Sequence, residues 1–301
     1  TGMSDPPQED RAKERLRLMT RVRRVASTIV GNKALLIGTM ISGVFTILAL
    51  AEGLAKLFGV SLTPYNPLQT FVGQPFESPS GLHLFGTDEL GRDVFSRILD
   101  ALPNDLSVSL AIVSVAFAFG ITLGALAGYK GGWLDEALMR VTDVFFALPA
   151  IILAIAVTII IGPGLLHIMY VLMLIWWPGY ARLSRGLTLR MAQQNFIDAA
   201  RLSGTGQAKI LFRHIMPNTV FLLVIFATVD IGGVMLVFAG LSYLGLAVPP
   251  PTPDLGSMVN AYQDYMLTAP WLPLLPGLLI ALIVIGFSVL GDGLQEVTVL
   301  S

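Results

Sequence analysis

The chain has 301 residues, of which 54% are hydrophobic and 13% charged, with a formal net charge of −1 and no cysteine. A soluble domain carries about 25% charged residues, so the composition excludes an ordinary water-soluble fold, and the absence of cysteine excludes disulfides and thiolate chemistry. The near-zero net charge by itself says nothing about partners, and no nucleic-acid partner is expected.

Six apolar stretches reach the roughly 20 residues needed to cross a bilayer. They cover 33–56, 106–129, 139–162, 165–185, 218–241 and 272–291. In lipid each must be helical, because an unpaired backbone group finds no water there. The expected fold is therefore all-α and polytopic, with six transmembrane helices. Pro149 and Pro178 are expected to kink their spans.

The segments around the spans divide the chain. Residues 1–32 form a basic tail in which Leu18, Val22, Val25 and Ile29 recur at helical spacing between arginines. That pattern suits an amphipathic helix on an anionic leaflet, or a plain topology anchor. Residues 57–105 form a first long extra-membrane segment, rich in Pro, Gly, Ser and Asn, which reads as an ordered loop without much core. Residues 106–295 hold the other five spans, and 296–301 form a short C-terminal end. Lys and Arg set the orientation. The tail up to Lys33, the turn with Lys130 and Arg140, and the 182–213 segment hold all the Lys and Arg except Lys56, Arg92 and Arg97. Both termini are therefore expected in the cytoplasm, with the 57–105 loop outside.

The second long water-side segment, 186–217, is too polar to cross a membrane. Asn195 and Asp198, three apart, resemble a capping box that starts a helix. Gly204 ends it, since glycine takes the left-handed position at least cost. A second short helix is expected over 206–215, carrying Lys209 and Arg213, with the next span starting at Pro217. The whole reads as helix, glycine hinge, helix: either a rigid lever on the inner face or a solvated loop.

Two acidic residues fall in or near the spans, where charge is expensive and faces a cavity or partner. Asp143 stands beside Arg140, which suggests an ion pair or helix-start role. Asp230 precedes Gly232 and Gly233 and is the candidate for a transport pathway, unless it hydrogen-bonds a neighbouring helix. Trp176 and Trp177 read as packing or interface residues. His83, His167 and His214 have no metal-ligand spacing.

The run Phe196-Ile197-Asp198-Ala199-Ala200-Arg201-Leu202-Ser203-Gly204, continuing to Arg213-His214-Ile215-Met216-Pro217, resembles the EAA loop of permease subunits of ATP-binding cassette importers. Segments 83–97 (HLFGTDELGRDVFSR), 129–135 (YKGGWLD), 241–246 (LSYLGL), 248–253 (VPPPTP) and 290–294 (LGDGL) are similar to the C-type subunits of dipeptide and oligopeptide importers. The likeness covers about 61–295. Three departures stand out: Asp198 replaces the usual Glu, Ala247 replaces a Gly, and 296–301 lacks a basic ending.

The resemblance implies an ABC type I importer permease fold in the plasma (inner) membrane and a non-catalytic role in moving peptides. It implies four kinds of partner: a homologous second permease, two ATPase subunits, an extracytoplasmic solute-binding protein and lipid. ATP and Mg²⁺ would be bound by the ATPases, since no Gly-x-x-x-x-Gly-Lys-[Ser/Thr] run occurs here. Asp198, Ala199, Ala200, Arg201, Gly204, Lys209 and Arg213 would form the coupling surface. Relatives of the group also carry oligosaccharides or nickel. Outside the resemblance, a proton-coupled secondary transporter would use Asp143 and Asp230, but no inverted repeat supports it. An intramembrane aspartyl protease would need Tyr-Asp and Gly-x-Gly-Asp, where this chain has Thr142-Asp143 and Leu290-Gly291-Asp292.

Overall fold

The computed structural model describes residues 31–300, so the basic tail with Leu18 to Ile29 lies outside the described residues. Every named element among them is helical, ten α-helices linked by turns and by one π and one 3₁₀ segment. In chain order the helices are α1 (Lys33–Leu57), α2 (Val94–Lys130), α3 (Gly132–Phe146), α4 (Ala150–Ile161), α5 (Leu165–Ala192), α6 (Asn195–Leu202), α7 (Gln207–Lys209), α8 (Met216–Tyr243), α9 (Leu255–Tyr262) and α10 (Trp271–Leu300).

By length and hydropathy four described helices can cross a membrane, α1, α2, the run through α7 and α8, and α10. The pair α3 and α4 makes a fifth if it counts as one span, bent by 83°. Pro149 explains the break: it is the N-cap of α4 and offers no amide to continue α3. Pro178, by contrast, lies inside an unbroken α5. That helix misses the hydropathy criterion because Trp176, Trp177, Pro178, Gly179 and Tyr180 interrupt its apolar run.

α2 is longer than the 106–129 stretch suggested. Asp93 caps it, its carboxylate accepting the Ser96 amide at 2.8 Å, and the helix continues through Pro103. At 37 residues it spans about 55 Å, well beyond the ~30 Å hydrocarbon core. Its first three turns therefore stand outside the apolar stretch.

The seam between α2 and α5 is backbone against backbone. Gly120, Gly124 and Gly128 recur every four residues on one face of α2. A Cβ at Gly124 would lie 2.1 Å from the Ala181 carbonyl oxygen, and at Gly120 2.5 Å from that of Trp177. Only glycine permits this approach, as in other close membrane helix pairs. Around the seam, Ile112, Ala116, Leu172, Tyr180, Leu223, Val234 and Phe238 form one buried core. A second core joins α1, α2, α8, α9 and α10 through Val94, Ile98, Met235, Leu255, Tyr262 and Ile283.

The inner segment departs from the expected helix, hinge, helix in one respect. α7 does not stop before Pro217. It runs through a π turn, Ile210–Ile215, straight into α8. The wider turn absorbs the amide that Pro217 lacks, so the span and the second arm of the lever are one rod.

Candidate functional site

α6 lies across the end of this rod. Its N-cap is Gln194, with no side-chain cap bond, so Asn195 and Asp198 do not form a capping box. Asn195 is already the first helical residue. Asp198 sits in the first turn, where a negative charge complements the helix dipole, and it accepts a bond from Arg201 at 3.0 Å. The helix ends as its sequence indicates. Gly204 has φ +74°, and the Thr205 amide donates to the Ala200 carbonyl at 3.1 Å, which closes a Schellman-type end.

One face of α6 is fastened inward. Ile197, fully buried, packs with Ala125, Ile210, Leu211 and Ile215, and Ala200 leans on the same cluster. The opposite face is bare. Asp198, Ala199, Arg201 and Gly204 are exposed, as are Lys209 and Arg213 on the rod. Among them stand three large apolar side chains: Phe196 at 46% exposure, Leu202 at 89% and Phe212 at 53%. A soluble-facing surface does not carry such residues together unless something covers them. Beside α6, between the ends of α5 and α8, is a cleft of about 350 Å³ lined by Leu187, Arg190, Met191, Gln194, Asn218 and Phe221.

The residues of the expected coupling set are thus exposed on α6 and on the rod, Ala200 excepted, which is half-buried against the bundle. Asp143 and Asp230 are elsewhere; Asp143 has a partner other than the expected Arg140, and Asp230 makes the hydrogen bond to a neighbouring helix that is its alternative reading. Asp143 pairs with Arg182 on α5 at 2.5 Å, while Arg140 faces Glu136 at 3.7 Å. Nearby, Arg185 grips Asp135 with two bonds of 2.5 and 2.6 Å. These pairs tie α3 to α5. Asp230 accepts a bond from the Trp176 indole at 2.9 Å, so Trp176 bonds across helices as well as packing. Among the described residues no cluster of three His, Asp or Glu could hold a metal ion.

The outer segment carries polar residues that composition did not single out. It has little apolar core, as expected, and folds around buried polar groups instead. Asp88 is fully buried. It accepts Arg92 Nε at 2.6 Å and the Tyr262 hydroxyl at 3.1 Å, and Arg97 donates to that same hydroxyl at 3.2 Å. His83 Nδ1 meets Asp93 at 2.9 Å. Glu52, buried on α1, accepts the Leu62 amide at 2.8 Å and the Ser61 hydroxyl at 2.9 Å. Burial first, and the Asp88 charge second, raise the Glu89 carboxyl above its usual range.

Comparison with known proteins gives a consistent result. Residues 120–299 match the family described as "Binding-protein-dependent transport system inner membrane component". A glutathione transport system permease protein, GsiD of Pectobacterium atrosepticum, is 41% identical over 256 residues, covering 85% of this chain and 84% of that protein. A dipeptide transport system permease protein, DppC of Alkalihalophilus pseudofirmus, is 36% identical over 265 residues, covering 88% and 85%. Among solved structures, an inward-facing conformation of the MetNI methionine ABC transporter superposes with a TM-score of 0.56 at 20% identity, covering 69% of this chain and 97% of that one. At that identity the likeness is one of fold.

Proposed function

The chain belongs to the binding-protein-dependent transport family of inner membrane components, and we propose that it is the permease subunit of an ATP-driven importer of short peptides, forming half of the pathway. In this reading it crosses the membrane six times, through α1, α2, the bent pair α3 and α4, α5, the rod ending in α8, and α10. Both termini are cytoplasmic, following the Lys and Arg distribution. It works with a homologous second permease, two ATPase subunits that bind ATP and Mg²⁺, and an extracytoplasmic solute-binding protein. It performs no chemistry itself.

The observation that carries the proposal is α6. It is anchored on one side by Ile197 and presents Phe196, Asp198, Arg201 and Leu202 bare on the other. Such a face fits a cleft on an ATPase. Because α7 and α8 are one rod, a push on this end moves the outer end of α8 as a rigid body, which is what alternating access requires. Peptide cargo rests on the relatives, whose names state glutathione and dipeptide transport. Asp230 bonds Trp176 of α5, which favours its helix-pairing role over a place in the pathway.

Reconstitution of the complex tests the coupling. Asp198→Lys and Gly204→Trp are each expected to abolish ATP-driven peptide uptake while the ATPases continue to hydrolyse. Uptake that survives both changes would refute α6 as the coupling element.

A further inference from the structure

The outer end of the bundle holds two carboxyl groups that transport coupling does not use. Asp105 lies on α2 just ahead of the apolar 106–129 stretch, and Asp254 is the N-cap of α9. They are 2% and 0% exposed, so this chain alone buries them, whatever its partners. Asp105 Oδ2 accepts the Leu255 amide at 3.0 Å. Asp254 Oδ1 accepts the Ser257 amide at 3.0 Å and the Ser242 hydroxyl. The other oxygens, Asp105 Oδ1 and Asp254 Oδ2, have no hydrogen-bond partner in the chain.

The neighbouring ionisable groups are committed elsewhere. Arg97 turns to Tyr262 and Asp88, Asp100 pairs with Lys56, and Tyr243 bonds Gln263. Burial first, and the charge of Asp254 second, act on Asp105.

Two ionised carboxylates so placed repel, and each orphaned oxygen is unfavourable. A proton held by one of the two carboxyls relieves the repulsion and turns an orphaned acceptor into a donor. A metal ion does not serve as well: only two oxygens are free, where Ca²⁺ takes about 6–8, and the ion would face the positive end of α9.

We propose that Asp105 and Asp254 bind one proton between them at neutral pH, as a single acid–carboxylate pair. Asp254, with two donors on Oδ1 and the α9 terminus behind it, carries the charge. Asp105, with one donor, carries the hydrogen. The bound proton clamps α2 to the start of α9, and Ser242 adds the end of α8.

The linkage has a definite sign. Unfolded carboxyls ionise near about pH 4, whereas the native pair keeps its proton, so the unfolding constant should rise roughly tenfold per pH unit above that value until the pair itself ionises. Asp105→Asn puts an amide N–H in place of the O–H and removes the titration. Its unfolding constant should rise less steeply with pH than that of the wild type over the same range. Asp254→Asn retains an N-cap side chain and serves as the second variant.

The full-length chain in nanodiscs would be examined by infrared difference spectroscopy at pH 7 and by thermal unfolding across pH. The carbonyl stretch of a protonated carboxyl, present in the wild type and lost in either variant, supports the proposal. It is overturned if wild type and both variants give the same spectrum in that region. It is equally overturned if, at fixed pH, added Na⁺ or Ca²⁺ raises wild-type unfolding resistance and not that of the variants, because a metal would then occupy the site.

Discussion

Ile197→Ala separates the anchoring of α6 from its outward face. The Ile197 side chain is fully buried among Ala125, Ile210, Leu211 and Ile215, and it is the only buried residue of α6. Truncating a buried isoleucine to alanine costs about 2–5 kcal/mol. Taking about 3 kcal/mol, the ratio of docked to undocked α6 falls roughly 100-fold. An isolated helix shorter than about 12 residues is marginal in water, so α6, with 8, unwinds when it leaves the bundle. Hydrogen–deuterium exchange reads this directly. Amides of 195–205 should exchange up to about a hundredfold faster in the variant, with α2 and α5 unchanged. Uptake by the reconstituted complex should fall with them. Leu202→Ala, at 89% exposure, is the control for the other face: exchange stays at the wild-type rate while uptake drops. If Ile197→Ala leaves exchange of α6 at the wild-type level, the cluster does not hold the helix and the reasoning fails.

Three further outcomes are expected. Gly204 has φ +74° and no atom within 4 Å of an added Cβ, so its requirement is backbone alone; Gly204→Asn should keep the native exchange pattern of 195–205, while Gly204→Val should lose about 1–2 kcal/mol of helix-end stability in the same measurement. Gly124→Leu drives a side chain into the Ala181 carbonyl at 2.1 Å and should prevent monodisperse folding, read by size-exclusion chromatography. Glu89 has a raised carboxyl pKa from burial; its native form therefore favours the proton, and stability falls as pH rises from the unfolded value of about 4.3 through the native one. Glu89→Gln should flatten that slope and raise the stability at pH 8 relative to the wild type in thermal unfolding.

Much of the bundle is legible as composition because the bilayer imposes a length. The apolar runs at 33–56, 218–241 and 272–291 all fall inside helices. What composition hides is where helices continue beyond the apolar run. α2 starts at Val94 because Asp93 caps it, a local signal that hydropathy averages away. α7 passes Pro217 because a π turn precedes it, and a proline in sequence marks a break more often than a bulge. The bend at Pro149 was readable; its 83° was not, because the angle is set by what α3 and α4 pack against.

The inner and outer polar sites differ in legibility for one physical reason. The proposed coupling surface is built from residues within about twenty positions of one another, and its polar groups bond locally: Asp198 to Arg201, Thr205 to Ala200. Helix, glycine and helix are readable from that local pattern, whereas the coupling role comes only from the resemblance to the EAA loop. The outer network is the reverse. Besides its local bond from Arg92, Asp88 accepts Tyr262, 174 residues away, and one oxygen of Asp105 accepts the Leu255 amide, 150 away. Neither periodicity nor spacing encodes such pairings. A buried carboxyl in an apolar chain signals that a partner exists, and only the fold names it. Asp143 makes the same point at short range, since its neighbour Arg140 was the obvious partner and Arg182, on another helix, is the real one.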